Sequence, residues 1–191
     1  MKRIQFAILI SAIIVNVSCG GGSDKKVYIM ASGKISVEGT IIKSEAGTTH
    51  NEKILDVSGD KISVQTGSTT MDISITEPGL YILNIKNDTL VGSYQRVGTQ
   101  NKTARLSQQD LQLNIDSLLQ LMAGTNATAA NRNFCIPPGR ATKITSNVKA
   151  QIIGPYLKLP SSFEGGDELE IYKFSTNKEI RETVDKLKKL Q

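Results

Sequence analysis

Few side chains in this sequence combine a reactive type with a spacing that chemistry could use. Cys19 and Cys135 are the only thiols, and His50 is the sole histidine. Cys135 lies in Asn133-Phe134-Cys135-Ile136-Pro137, an apolar setting without a CxxC partner, which fits an inert buried thiol better than a nucleophile. His50 lies in Gly47-Thr48-Thr49-His50-Asn51, read as a polar turn between strands in which a histidine is ordinarily solvent-exposed. A Cys135/His50 dyad would need the fold alone to bring two distant segments together. Glu164, Asp167, Glu168 and Glu170 form the densest acidic group. They have the ligand type for calcium, and equally the composition of a solvated loop. No residues have zinc-ligand spacing, no glycine-rich loop opens a helix, and no serine sits in a nucleophile elbow. The sequence therefore nominates no catalytic residue, no cofactor and no metal site. Asn101-Lys102-Thr103 and Asn126-Ala127-Thr128 match the glycosylation pattern and are read as chance matches.

The more specific chemistry belongs to the other cysteine. Met1-Lys2-Arg3 is a basic start, and Ile4 to Val15 is apolar apart from Gln5 and Ser11. Small residues then lead to Cys19, and Gly20-Gly21-Gly22-Ser23 follows at once. The run is shorter than the roughly 18–20 apolar residues that span a bilayer, so an export signal over residues 1–18 is expected rather than a permanent span. Val17-Ser18-Cys19-Gly20 at this place resembles the lipidation signal of bacterial lipoproteins, with Asn16 standing where that family most often has Leu. The resemblance covers about the first tenth of the chain. It implies a diacylglycerol thioether on Cys19, cleavage before it and acylation, such as palmitoylation, of the new amino group. Gly20 is not the Asp that resembles an inner-membrane retention signal, which leans towards the outer membrane. Without lipidation, Cys19 would be a free thiol or a disulfide partner for Cys135. One acyl chain gives only reversible attachment, at about 0.8 kcal/mol per buried methylene, so two or three would hold the chain at a membrane. Residues 19–26 then read as the lipidated cysteine and a flexible tether.

The formal net charge of +5 counts Lys2 and Arg3 and falls by two to +3 without them, too mild to imply a nucleic-acid partner. Hydrophobic residues make up 39%, with no Trp, four Phe and five Tyr, so aliphatic side chains must fill the core of what length suggests is one domain. Period-two alternation over 35–41, 53–57, 61–64, 71–75 and 81–85, with Gly, Asp, Ser or Pro between, predicts short strands and a β-rich domain over residues 27–98. Asn87-Asp88 reads as a tight hairpin turn into a strand at 89–94. Glu77-Pro78-Gly79-Leu80-Tyr81 resembles the tyrosine corner of immunoglobulin-like sandwiches and reads equally as a plain type II turn.

From about residue 106 the period changes. Leu111, Ile115, Leu118, Leu119 and Met122 share a helix face, with a capping box at Ser107/Asp110 and a stop at Gly124. Thr125 to Ser146 shows neither period and reads as a long loop, the first place to look for a site. Strands at 150–153 and 170–174 follow, joined through Pro155, Pro160 and a Gly165-Gly166 turn. A closing helix is capped by Thr176/Glu179 and striped by Ile180, Val184, Leu187 and Leu190. The expected class is α+β: an antiparallel, sandwich-like β body, an amphipathic helix, a strand pair and a C-terminal helix, with residues 99–191 forming a second region or completing the same core.

The resulting functional expectation is a cell-envelope lipoprotein, held to the membrane through Cys19, that binds or scaffolds an envelope protein or small ligand without catalysis. Two alternatives stay open. One is a lipid-anchored enzyme with its site in the 125–146 loop, involving Cys135, Arg132 or Arg140; the other is a carrier enclosing a small ligand between sheet and helices.

Overall fold

The computed structural model describes residues 24–95, 107–128, 130–154 and 169–190. The export segment, Cys19, tether residues 20–23, the sequon at Asn101, Pro155, Pro160, the Gly165-Gly166 turn and the acidic residues Glu164, Asp167 and Glu168 lie outside them. The described chain folds as α+β. Its strands are β1 (Lys25–Ser32), β2 (Ile35–Glu38), β3 (Ile41–Ser44), β4 (His50–Asp56), β5 (Lys61–Thr66), β6 (Thr69–Ser74), β7 (Gly79–Ile85) and β8 (Leu90–Gln95). Helix α1 (Gln108–Met122) precedes β9 (Asn133–Ile136), β10 (Arg140–Thr145), β11 (Gln151–Ile153) and β12 (Ile171–Thr176), and helix α2 (Asn177–Lys188) closes the chain.

The strands make three four-stranded sheets: β2-β3-β5-β6, then β10-β7-β1-β4, then β11-β12-β8-β9. Two hydrophobic clusters place the second of these in the middle. Val27, Ile29, Tyr81 and Leu83 pack on Ile42, Ile62 and Val64 of the first sheet. Met30, Leu80 and Ile82 pack on Phe134, Ile136, Tyr172 and Phe174 of the third. A strand covered on both faces cannot alternate apolar with polar, and β7, Gly79-Leu80-Tyr81-Ile82-Leu83-Asn84-Ile85, is buried at every position but the last. The helices form a fourth layer, where Ile115, Ile180 and Val184 cover Val91 on the far face of the third sheet. Both expected capping boxes are present, and Gly124 ends α1 with a φ of +69°. Leu111 and Ile115 carry the packing of α1, whereas Leu119, expected on that face, is exposed.

Several expectations change in detail. The sheets are mixed rather than antiparallel throughout, because β1 runs parallel to β7, β3 to β5 and β11 to β12. The single strand expected over 35–41 is two, since Gly39 turns the chain with a φ of +60°. Lys25 and Lys26, expected in the tether, open β1. Asn87 and Asp88 do not close a hairpin. They form a corner between β7 in the middle sheet and β8 in the third, and neither has positive φ. The long loop expected over 125–146 contains β9 and β10, split at Pro137–Gly139 as the chain crosses back from the third sheet to the middle one. The later region thus supplies strands to two sheets that the earlier one begins, pairing β10 with β7 and β9 and β12 with β8.

Tyr81 makes the expected corner: its hydroxyl donates to the Glu77 carbonyl at 2.9 Å. Gly79 is required there. Its φ is +139°, and a Cβ would lie 2.5 Å from the Thr145 carbonyl oxygen.

Candidate functional site

Two of the crossings between the middle and third sheets, β7 to β8 and β9 to β10, fall at the same end of the stack, and one buried polar residue ties them. Asn84, fully buried, donates through Nδ2 to the carbonyls of Asp88 and Ile136, each at 2.9 Å, and accepts from the Lys86 amide at 2.9 Å. The Gly139 amide donates to the Asn84 carbonyl at 2.8 Å. The 86–88 corner is therefore fixed from beneath, and it forms the floor of a cleft of about 410 Å³.

The cleft has three walls. Ser32, the last residue of β1, and Gly47 and Thr48 of the β3–β4 loop make one. That loop is pinned on Gly33, whose amide donates to the Thr49 carbonyl at 2.8 Å and whose carbonyl accepts from Asn51 Nδ2 at 2.7 Å. Gly33 has a φ of +102°, and a Cβ there would strike the Glu45 carbonyl, so no other residue suits the contact. A second wall is the first turns of α2, with Thr176, Lys178, Glu179 and Glu182. The third is His50 at the start of β4.

His50 is thus a half-buried strand residue and not an exposed turn residue. Its Nε2 lies 2.6 Å from Glu52 Oε1, and the other Glu52 oxygen accepts from the Tyr28 hydroxyl. Burial, reinforced by that carboxylate, raises Tyr28 well above the usual tyrosine range, so the hydroxyl stays protonated and keeps donating. Gly154 closes over this pair: a Cβ there would come within 2.6 Å of Glu52 Oε1.

Lys86 is the residue that sequence reading missed. It is 6% exposed, yet it lines the cleft, and its ammonium makes no hydrogen bond or ion pair among the described residues. Burial pulls it below lysine's ordinary range, against the opposing pull of Glu179, Glu52 and Asp88. Those carboxylates are engaged elsewhere. Asp88 accepts the amides of Thr89 at 2.8 Å and Lys178 at 2.9 Å, while Glu179 takes the Thr176 amide at 2.7 Å.

A second polar cluster lies at the opposite end of the third sheet. The Arg132 guanidinium stacks 4.1 Å from the Tyr94 ring centroid and meets Glu170 at 2.7 Å. Glu170 also accepts from Tyr172 at 2.6 Å and Thr145 at 3.1 Å. Burial pushes the Glu170 carboxyl up, but the hydrogen bonds of Tyr172, Asn147 and Thr145 and the charge of Arg132 hold it below the usual range. Tyr172 is pushed up to about 12 by burial and by Glu170. Every group is matched by another in the cluster, which suits a clamp on the aromatic row Tyr94, Tyr172, Phe134 and Phe174 better than an open site.

The residues named for an enzyme in the 125–146 stretch do not converge. Arg132 is held in that clamp and Arg140 is exposed at the start of β10. Cys135 is half-buried, packed in the helical layer near Gly124. That layer lies beyond the third sheet, whereas His50 borders the cleft from the middle one, so the two are not brought together. The cleft is lined by polar and charged groups, unlike the apolar cavity expected of a lipid-type carrier. Among the described residues no group of His, Cys, Asp and Glu could hold a metal ion. No protein-family model, curated protein or solved structure matches the chain.

Proposed function

We propose that the chain is a bacterial cell-envelope lipoprotein, anchored through lipidated Cys19, whose body is a binding module that holds its cleft away from the membrane. The observation that carries the reading is how little chain separates the signal from the fold. Only Gly20 to Asp24 lie between Cys19 and β1, and five residues reach at most about 18 Å. β1 is an interior strand of the middle sheet, so the anchor would pull on the best-supported part of the molecule.

The same strand sets the orientation. Lys25 at its first end would face the bilayer with Lys26, Asp60 and Glu77, all near the entry point. Ser32 at its other end lines the cleft, about 23 Å further out along seven residue steps of the strand. A cleft so placed opens to the aqueous phase, where it would meet a soluble ligand or the exposed part of a partner. The dispersal of Cys135, Arg132 and Arg140 favours binding over catalysis, and the polar lining favours a polar ligand over a lipid.

Intact mass and membrane partitioning of the bacterially expressed chain, beside Cys19→Ala, test the anchor. The wild type should lose residues 1–18, gain the mass of a lipidated cysteine and partition to membranes, and the variant should do none of these. An unmodified Cys19 in a cleaved, soluble protein would overturn the anchor and make a Cys19 to Cys135 disulfide the next species to seek.

A further inference from the structure

We infer that the cleft binds a small zwitterion, with the ligand's carboxylate on the Lys86 ammonium and its own ammonium against the Glu179 and Glu182 wall of α2. The inference rests on the cleft being a binding site, as proposed above, and is independent of lipidation at Cys19.

The donor comes first. A lysine ammonium has three N–H donors, and burying it with none of them used is costly. The Lys86 side chain is 6% exposed and borders a cleft of about 410 Å³, within the size range of small-molecule sites, so its ammonium has the cleft as its only outlet and no protein acceptor among the described residues. No hydrogen bond or ion pair joins Lys86 to the nearby carboxylates of Glu52, Asp88 and Glu179, which accept from Tyr28 and His50, from backbone amides, and from the Thr176 amide respectively. The floor thus offers the cleft a cationic donor without a protein acceptor among the described residues, and a carboxylate from a ligand would pair with it in the strongest form.

The surrounding charge then limits what else the ligand carries. Around Lys86 and Lys178 stand Glu52, Asp88, Glu179 and Glu182, so the region is acidic on balance and a purely anionic ligand would be repelled. Glu179 and Glu182 lie three residues apart on α2, and both line the cleft. A purely cationic ligand would meet Lys86. A molecule with both charges, such as a free amino acid or a short peptide's backbone termini, satisfies the floor and the wall together. The walls are already in place, α2 by its capping box and the β3–β4 loop by Gly33, so little ordering is needed on binding.

The test is an amide-resolved NMR titration of the full-length chain in detergent with glycylglycine, N-acetylglycylglycine, glycylglycinamide and the common free α-amino acids. Glycylglycine or a free amino acid should move the amides of Thr48, His50, Asp88 and Lys178, and capping either end should weaken binding tenfold or more. Lys86→Met should lose at least tenfold in affinity for the uncapped ligand. Glu182→Gln, at an exposed position that cannot disturb the core, should weaken it severalfold and narrow the gap between glycylglycine and its N-acetyl form. Equal binding of capped and uncapped forms would overturn the zwitterion while leaving the cleft a binding site. No movement of those amides by any probe at about 10 mM, well above a millimolar site's requirement, would overturn both.

Discussion

Lys86→Met should make this protein more stable while depriving its cleft of its ligand. The methionine keeps most of the aliphatic stem and removes only the ammonium, which the fold partly desolvates at the cleft floor without a hydrogen bond or ion pair among the described residues. A fully buried, unsatisfied polar group costs about 1–3 kcal/mol, and an ammonium that keeps contact with the cleft bears only part of that. Attraction from Glu179, Glu52 and Asp88 offsets part of that cost, but burial is the larger influence and the net shift of Lys86 is downward. The charged form is therefore less stable in the fold than in water. The expected gain at pH 7 is about 1 kcal/mol, which at this chain length raises Tm by about 2–4 °C. Because the folded pKa lies below the unfolded one, at about 10.4, the penalty is complete at neutral pH and is relieved as pH rises through that window. Urea denaturation of both proteins at pH 7 and pH 10 reads this directly: the variant's advantage should shrink at the higher pH. A variant less stable than wild type by about 1 kcal/mol, or an advantage that grows with pH, would refute the reasoning and mean that the ammonium is held by the fold itself.

Other consequences follow from the same geometry. Tyr81→Phe removes the bond to the Glu77 carbonyl and should cost about 1 kcal/mol in a denaturation experiment, with no change in the cleft's NMR signals. Asn84→Leu strands the carbonyls of Asp88 and Ile136 and the Lys86 amide; a loss of about 3 kcal/mol or more is expected, together with altered cleft amides. Gly79→Ala forces a side chain at a φ of +139° and against the Thr145 carbonyl, so it should destabilise by about 2 kcal/mol or more, measurable as a fall in Tm. Tyr172 should ionise near about 12 in an ultraviolet titration, and Glu170→Gln should lower it. Since the folded state keeps that proton after the unfolded chain has lost it, this contribution to stability is intact below about pH 10 and fades above it.

The elements were largely legible because they are local. The two capping boxes depend on residues three apart, the Tyr81 corner on residues four apart, and both appear as their sequences suggest. The pairing of strands was not legible, since it depends on which apolar face meets which. β7 carries the clearest sign of it, being apolar at positions that a one-sided strand would leave polar, and an unbroken run of that kind belongs to a sheet covered on both faces. Asn84 is the one polar residue in that buried run, the kind of interruption that marks a required bond. β9 was missed because four residues are too few to establish a period, and Pro137-Pro138-Gly139 read as a loop when it is the corner between two sheets. Lys86 carried no signal at all. A lysine beside Asn87 and Asp88 has turn composition, and the cleft it lines is completed by α2, whose first turn is bonded to Asp88 from about 90 residues further along the chain.

The layered arrangement also explains why a cleft forms where it does. Stacked sheets exclude water from the faces between them, so in this chain the polar groups that are not on an outer surface are concentrated at the ends of the strands. At one end, β1 begins and Arg132, Glu170, Tyr172 and Thr145 satisfy one another. At the other end, the chain twice crosses between the middle and third sheets, and each crossing leaves backbone carbonyls that must find donors. Asn84 serves both of these crossings, and in doing so fixes the 86–88 corner. The corner's own carboxylate, Asp88, then caps the α2 amide at Lys178, which leaves Lys86 as the group facing the space with its donors unused. A binding role predicts that Lys86→Met raises stability while lowering zwitterion affinity, and a purely structural role predicts that both fall or neither changes.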